Sequence, residues 1–235
     1  MIAYRTRAQL KYEVKNLLRG NWKKAILLYL IPLIVFVTTA GYNSGQTHIS
    51  AQYNVDNFES FAKFGSSFGI ISFLISLVFL LINQSANFRA LDWMDDNTLE
   101  FDPIKSNFTY FRSPDWWQLI FLYIITSLFT LLWSILLIIP GIVKAIGYSQ
   151  TYFVYKDLND RGLTDGFSIT TYITKSQQLM MGNKWRYFVL QLSFIGWWIL
   201  GAMTLGIGFI WIFPYYKLTM VNFYRDLVEK NANYL

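Results

Sequence analysis

Cysteine is absent from the 235 residues, and histidine occurs once, as His48. The first absence excludes disulfides, thiolate metal sites and cysteine nucleophiles. The second means that a multi-histidine metal site cannot come from this chain alone and that a Ser-His-Asp triad could be built only on His48. Charge is scarce as well. Only 14% of residues are charged, against 54% hydrophobic, where soluble domains carry roughly 25% charged residues. No GxGxxG, phosphate-binding loop, HExxH or GxSxG pattern is present, so the common signatures of nucleotide, zinc and serine chemistry are missing. No cofactor is implied, and the chain reads as non-enzymatic.

What fills the space is Leu, Ile, Phe, Tyr and Trp. Aromatics reach 19%, with nine Trp, residues suited to a membrane–water boundary. Four apolar regions stand out: residues 25–40, 68–82, 119–155 and 187–220. Each of the last two runs to about 35 residues, or ~50 Å as helix, against a hydrocarbon core of ~30 Å. Each must fold back. Pro140-Gly141 marks one turn and Thr204-Leu205-Gly206-Ile207-Gly208 the other. The fold class follows as all-α: a polytopic membrane bundle of six transmembrane helices, about 23–41, 66–91, 116–138, 141–158, 185–203 and 207–228. Pro32 predicts a kink in the first. Residues 41–65, polar and rich in Ser, Asn and Gln, read as an outer loop. His48 sits there near Asp56 and Glu59 and reads as a solvated side chain.

Lys and Arg cluster before the first span and between the second and third and the fourth and fifth, which predicts cytoplasmic termini. The net charge of +6 belongs to this topology pattern, and no nucleic-acid partner is implied. Residues 5–19 place Leu10, Val14, Leu17 and Leu18 on one helical face and cations on the rest. Such a helix suits an anionic leaflet, with Arg5, Arg7, Lys11 and Lys15 as lipid-surface contacts, or the inner surface of the bundle. Residues 165–181 show a similar stripe through Ile169, Tyr172, Ile173, Leu179 and Met180.

Spacing suggests an internal repeat. Phe88-Arg89-Ala90-Leu91, Tyr155-Lys156-Asp157-Leu158 and Tyr224-Arg225-Asp226-Leu227 share one pattern. Trp116 to Tyr155 and Trp185 to Tyr224 are each 39 residues, whereas Trp22 to Phe88 is 66. The excess is close to the length of segment 41–65. The chain therefore divides as one membrane domain of three hairpin units, about 5–91, 92–158 and 159–227, each preceded by a cytoplasmic amphipathic segment.

Two constellations carry potential chemistry. Asp92, Asp95, Asp96, Glu100 and Asp102 cluster between the second and third spans, as paired-carboxylate chemistry would need. A solvated loop pairing with nearby cations is the reading preferred for them. Within the spans, Lys144, Tyr148, Gln150, Gln191 and Lys217 are polar residues in a costly place. They either line a cleft between the fourth and sixth helices or hold the bundle by interhelical hydrogen bonds.

Ser176, Leu179-Met180-Met181-Gly182-Asn183-Lys184-Trp185-Arg186, Leu192-Ser193-Phe194-Ile195-Gly196-Trp197, Pro214-Tyr215 and Phe223-Tyr224-Arg225-Asp226-Leu227 resemble a family of uncharacterised integral membrane proteins common in Gram-positive bacteria, a domain of unknown function. Pro140-Gly141 and Tyr148-Ser149 fit it too. The resemblance covers most of the chain and is densest over residues 176–227. It transfers no catalytic residue. Where members often show Asp-Pro after the fourth helix, this chain has Asn159-Asp160-Arg161-Gly162. Together these features point to a non-enzymatic cell-envelope factor of accessory or protective kind, working through membrane lipids or a membrane-protein partner. The alternatives are a small transporter or channel and, more remotely, a lipid-modifying enzyme built on the acidic cluster.

Overall fold

Proline, glycine and serine divide this chain more than polarity does. A computed structural model describes residues 4–52, 58–136, 138–164 and 166–231, with the side chains of 39–72 and 134–139 outside the description. Helix α1 (Arg7–Leu18) starts at a capping box: Thr6 accepts from the Gln9 N–H while the Gln9 side chain accepts from the Thr6 N–H. Gly20, at φ +79°, then turns the chain through 105° into α2 (Trp22–Gln52). Pro32 is accommodated inside α2, and α3 (Phe58–Asp95) follows. Residues 41–52 and 58–65, read above as loop, therefore carry helical backbone. The physical reason is that polarity does not stop a helix, and no proline lies between Pro32 and Pro103. His48, Asp56 and Glu59 lie outside the described side chains.

The short α4 (Pro103–Ser106) begins with Asp102 as cap, and a 3₁₀ turn spans Thr109–Phe111. Helix α5 (Trp116–Leu136) and α6 (Ile138–Tyr148) pack along each other. Pro140 sits in the first turn of α6, where its missing N–H is not needed. Then come α7 (Thr151–Asp160), α8 (Ile169–Leu179), α9 (Lys184–Leu192), α10 (Ile195–Met203) and α11 (Phe209–Lys230). No strand occurs among the described residues.

The predicted fourth and fifth helices are each broken in two, and the breaks share one chemistry. Ser149 Oγ donates to the Ile146 carbonyl at 2.8 Å, and Ser193 Oγ to the Leu190 carbonyl at 2.5 Å. A hydroxyl bound to the carbonyl three residues back competes with the helical ladder. Among the described residues, two stretches are long and apolar enough to cross a membrane, Phe73–Asp95 in α3 and Trp116–Trp133 in α5; α1 with Trp22–Thr38, bent by 105°, makes a third if the pair counts as one span. The α3 stretch is 56% buried and the α5 stretch only 11%, which places α5 on the periphery.

The α10–α11 turn falls where the glycines predict. The Leu205 N–H bonds the Ala202 carbonyl and the Gly206 N–H the Gly201 carbonyl, a Schellman pair. Leu205 takes φ +53° and is 95% exposed. A branched residue in the left-handed region is strained by roughly 1–2 kcal/mol. Leu205→Gly should therefore raise stability by about 1 kcal/mol, read as a higher melting temperature in detergent. An unchanged or lower value would show that the exposed side chain is held by lipid or a partner.

Two parts of the chain superpose by number. Thr6 caps α1 and Ser168 precedes α8, 162 residues later. Buried Leu10, Val14 and Leu18 match buried Tyr172, Ser176 and Met180 at the same offset. Gly20 and Gly182, both at positive φ, do likewise.

Candidate functional site at the charged end of the bundle

Tyr4 and Arg5 are clamped onto the end of α11. Asp226, fully buried on α11, accepts from Arg186 Nη2 at 2.6 Å and from the Arg5 backbone N–H at 3.0 Å. Arg186 Nη2 also donates to the Arg5 carbonyl at 2.8 Å, and Nη1 to Asn183. Arg5 pairs with Glu13 at 2.9 Å and with Glu229 at 2.8 Å. Asn222 donates to the Leu10 carbonyl and to Glu13, and Asn231 to the Tyr4 hydroxyl. The side chains come from α1, α9 and α11. The turn at Gly182 and the break at Ser193 leave α9 short.

Beside this clamp the ends of α3, α7 and α11 meet. Lys156 of α7 pairs with Asp92 of α3 at 2.6 Å and with Asp160 at 2.5 Å. Arg225 of α11 pairs with Asp95 of α3 at 2.6 Å, and the Tyr224 hydroxyl donates to Asp157 of α7 at 2.6 Å. Phe153 stacks on Tyr224 with centroids 5.0 Å apart. The three aromatic–cation motifs of the sequence thus converge on one junction: Arg89 pairs with Asp92 of its own helix at 3.5 Å, while Lys156, Tyr224 and Arg225 answer acids on neighbouring helices.

The acidic cluster is dispersed by these contacts. Asp92 and Asp95 face the junction. Asp96 accepts from the Thr98 hydroxyl and N–H, which hold it below the usual carboxylate range. Asp102 is held low chiefly by the Lys105 N–H, as the cap of α4. Glu100 lies 3.8 Å from Lys24. No group of acids or histidine that could hold a metal exists among the described residues. These carboxylates serve as caps and in ion pairs, and of them Asp95 lines a cavity of about 480 Å³ together with Glu13 and Arg225.

The predicted cleft residues separate. Lys144 stands over the Trp133 ring at 4.7 Å and reaches Gln177 of α8 at 3.5 Å. Tyr148 and Gln150 are buried at the α6–α7 break, where Gln150 donates to Ser149 and keeps a buried Oε1 without a partner. Gln191 lies within reach of the Tyr187 and Tyr216 hydroxyls, and Ser149 within reach of Tyr187, so Gln150 and Gln191 sit at one polar seam. Lys217 faces elsewhere. Its ammonium donates to Asn83 of α3 at 2.8 Å and lies 5.4 Å from the Phe213 ring. The helix opposite Lys217 is thus the second predicted span, not the fourth, because side-chain direction on α11 follows its packing against α2 and α3.

That contact exposes a layer the sequence reading passed over. Asn83, Gln84, Ser85 and Asn87 follow one another on α3, and the last three are buried. The Tyr29 hydroxyl donates to Asn87 at 3.3 Å, and Asn87 to Gln84 at 3.4 Å. The signal was present: four amide or hydroxyl side chains within five residues, inside an apolar helix.

The four proposed lipid contacts divide as well. Arg5 belongs to the clamp. Lys11 donates to the Ser193 carbonyl at 3.1 Å and stands 4.1 Å from the Phe194 centroid, so it satisfies the end of α9. Arg7 and Lys15 are exposed. The apolar face Leu10, Val14 and Leu18 is buried in the protein, with α11 packed against α1. Of the two sites open to that face, the bundle has taken it.

Against known families, the chain matches the proteins of unknown function designated DUF975 over residues 1–151 and 135–231. The chain belongs to this family. No curated protein and no solved structure matches it. The matched ranges hold both halves of the clamp, Arg5 and Asp226, and overlap across α6. In this DUF975 member the Asn159-Asp160-Arg161-Gly162 turn is closed by the chain itself. Gly162 takes φ +66°, and the Leu163 N–H bonds the Leu158 carbonyl at 2.9 Å. Asp160 lies in the Lys156 pair. The turn that lacks Asp-Pro is therefore a glycine-ended helix stop tied to the junction.

Proposed function

We propose that this DUF975 protein is a six-span integral membrane protein of the bacterial envelope that works by binding rather than catalysis. Its termini face the cytoplasm, and its partners are lipids of the inner leaflet or a membrane protein held there. The observation that carries this reading is the division of charge. Every acidic side chain among the described residues has a partner within the protein, for example Glu13, Asp115 and Asp226. Exposed Arg7, Lys15, Arg19 and Lys23 pair with none of them. These outward cations give the start of the chain an excess of positive charge, which attracts anions. It offers no free carboxylate pair for acid–base work.

Three hairpins remain the architecture this reading uses. The matched offsets of α1 and α8 support a repeat in which an amphipathic helix, a glycine turn and a hairpin recur. Segments 138–160 and 184–203 are then spans broken at Ser149 and Ser193, tolerated where neighbouring helices and hydroxyls satisfy the freed backbone. The role is that of an accessory or protective factor at the envelope.

Because the chain lacks cysteine, a single probe tests the placement. Ala8→Cys puts a label on the exposed face of α1. In bilayers containing anionic lipid, brominated acyl chains should quench it at the depth of the headgroup–acyl boundary. A label quenched only by aqueous reagents would remove the leaflet-binding reading.

A second reading draws support from Lys217. An ammonium within the bundle whose described acceptor is the neutral Asn83, beside buried Gln84 and Asn87, is the kind of group a transporter uses. Its polar layer would lie among α2, α3 and α11. Lys217→Met should then abolish solute uptake in proteoliposomes while leaving the fold intact.

A further inference from the structure

A cavity of about 370 Å³ opens between the start of α1 and the first two turns of α9. Arg5, Arg7 and Arg186 line its charged side, and Leu10, Leu190 and Phe223 its apolar side. Trp185 also lines it, and at 71% exposure this indole stands open to the surroundings. No acidic side chain lines it. The guanidinium groups of Arg5 and Arg186 are oriented by Asp226, Glu13 and Glu229. Arg5 Nη1 is buried with no hydrogen-bond acceptor in line, although Glu229 is close. Arg7 has no acidic partner among the described residues. The clamp thus holds two arginines rigid and leaves a third unspent beside them.

The three parts match one kind of molecule. Guanidinium forks suit a phosphate. An apolar wall suits an acyl chain. A Trp open at the edge suits the headgroup boundary, where its ring sits half wet. We propose that this groove binds one anionic phospholipid, the phosphate between Arg7 and Arg186 and the upper acyl chain along Trp185 and Val189, over the buried Leu190 and Phe223. The proposal rests on the reading above that α1 lies at the inner leaflet, and it names the ligand that reading leaves open. A free phosphate would use the arginines but not the wall. A zwitterionic lipid would set its own cation against Arg7, the arginine with no acid beside it.

The experiment counts lipids that stay with the full-length protein. Nanodiscs of phosphatidylcholine with a minority of phosphatidylglycerol are disrupted with mild detergent, and retained lipids are read by native mass spectrometry. Wild type should retain phosphatidylglycerol over phosphatidylcholine by about tenfold, as one charge-assisted contact implies. Arg7→Gln should lose most of that preference. Arg7 is exposed and outside the clamp, so the fold should be kept. Lys15→Gln removes the same charge outside the groove and should keep the preference. Equal retention of the two lipids, or equal loss in both variants, overturns the proposal in favour of diffuse surface charge. Displacement of the lipid by millimolar glycerophosphate also overturns it, since the apolar wall would then play no part. If these arms fail while the Ala8→Cys label still reports leaflet depth, the groove is wrong and the binding reading stands. If that label is remote from lipid, both fall together.

Discussion

Replacing Asp226 with alanine is expected to lower the unfolding free energy by about 3–5 kcal/mol, the range for removing one partner of a buried ion pair. Asp226 is fully buried, and both oxygens are used: one by the Arg5 N–H at 3.0 Å, the other by Arg186 at 2.6 Å. Alanine would leave the Arg186 guanidinium against a buried void and remove one of the ties between the N-terminal segment and α11. Asp226→Asn keeps an acceptor but loses the charge, and should fall between the two. Unfolding in mixed detergent micelles reads the difference. A loss under about 1 kcal/mol would class the contact with exposed pairs and deny the clamp its place in the fold. The same variant should make Tyr4 and Arg5 more open to proteolysis, because the Arg5 N–H loses its acceptor and Arg186 loses its anchor on α11.

Asn83→Leu should be the second large loss, about 1–3 kcal/mol and more because the stranded donor is charged. Lys217 would keep its ammonium beside the Phe213 ring without the Asn83 oxygen. Adding Lys217→Met should recover most of the loss, since replacing both members of an interior polar pair with well-packed apolar groups is often neutral or stabilising. The four proteins form a double-mutant cycle with an expected coupling of about 0.5–3 kcal/mol. Additive losses would mean that Asn83 and Lys217 do not depend on each other. The cycle also separates the two functional readings. A structural pair predicts that the double variant regains both stability and activity in cells. A transport residue predicts a stable protein that remains inactive.

Much of the fold was legible because hydrophobic runs and punctuating residues act locally. The start of α5 at Trp116, the turn at Leu205-Gly206 and the amphipathic α1 all follow from a few neighbouring side chains. Segment 41–65 misled because polarity predicts exposure, not helix ending, and its backbone carries helix on both sides of 53–57. The breaks at Ser149 and Ser193 were readable only as serines. That their hydroxyls turn back onto carbonyls depends on rotamers that neighbouring helices select.

The sequence by itself determined an all-helical, charge-poor chain without cysteine or catalytic signature, and it set which residues were polar enough to matter. It could not determine which of them meet. Arg5 and Asp226 are 221 residues apart, Lys217 and Asn83 are 134 apart, and no local pattern links either pair. Only the packing of α11 against α1, α2 and α3 decided those meetings. A helix presents several faces at once, and which face finds a neighbour depends on the whole bundle. That is why the cations of α1, alike in sequence, end with different tasks. Arg5 locks the termini, Lys11 closes the end of α9, and Arg7 and Lys15 remain free to meet a lipid.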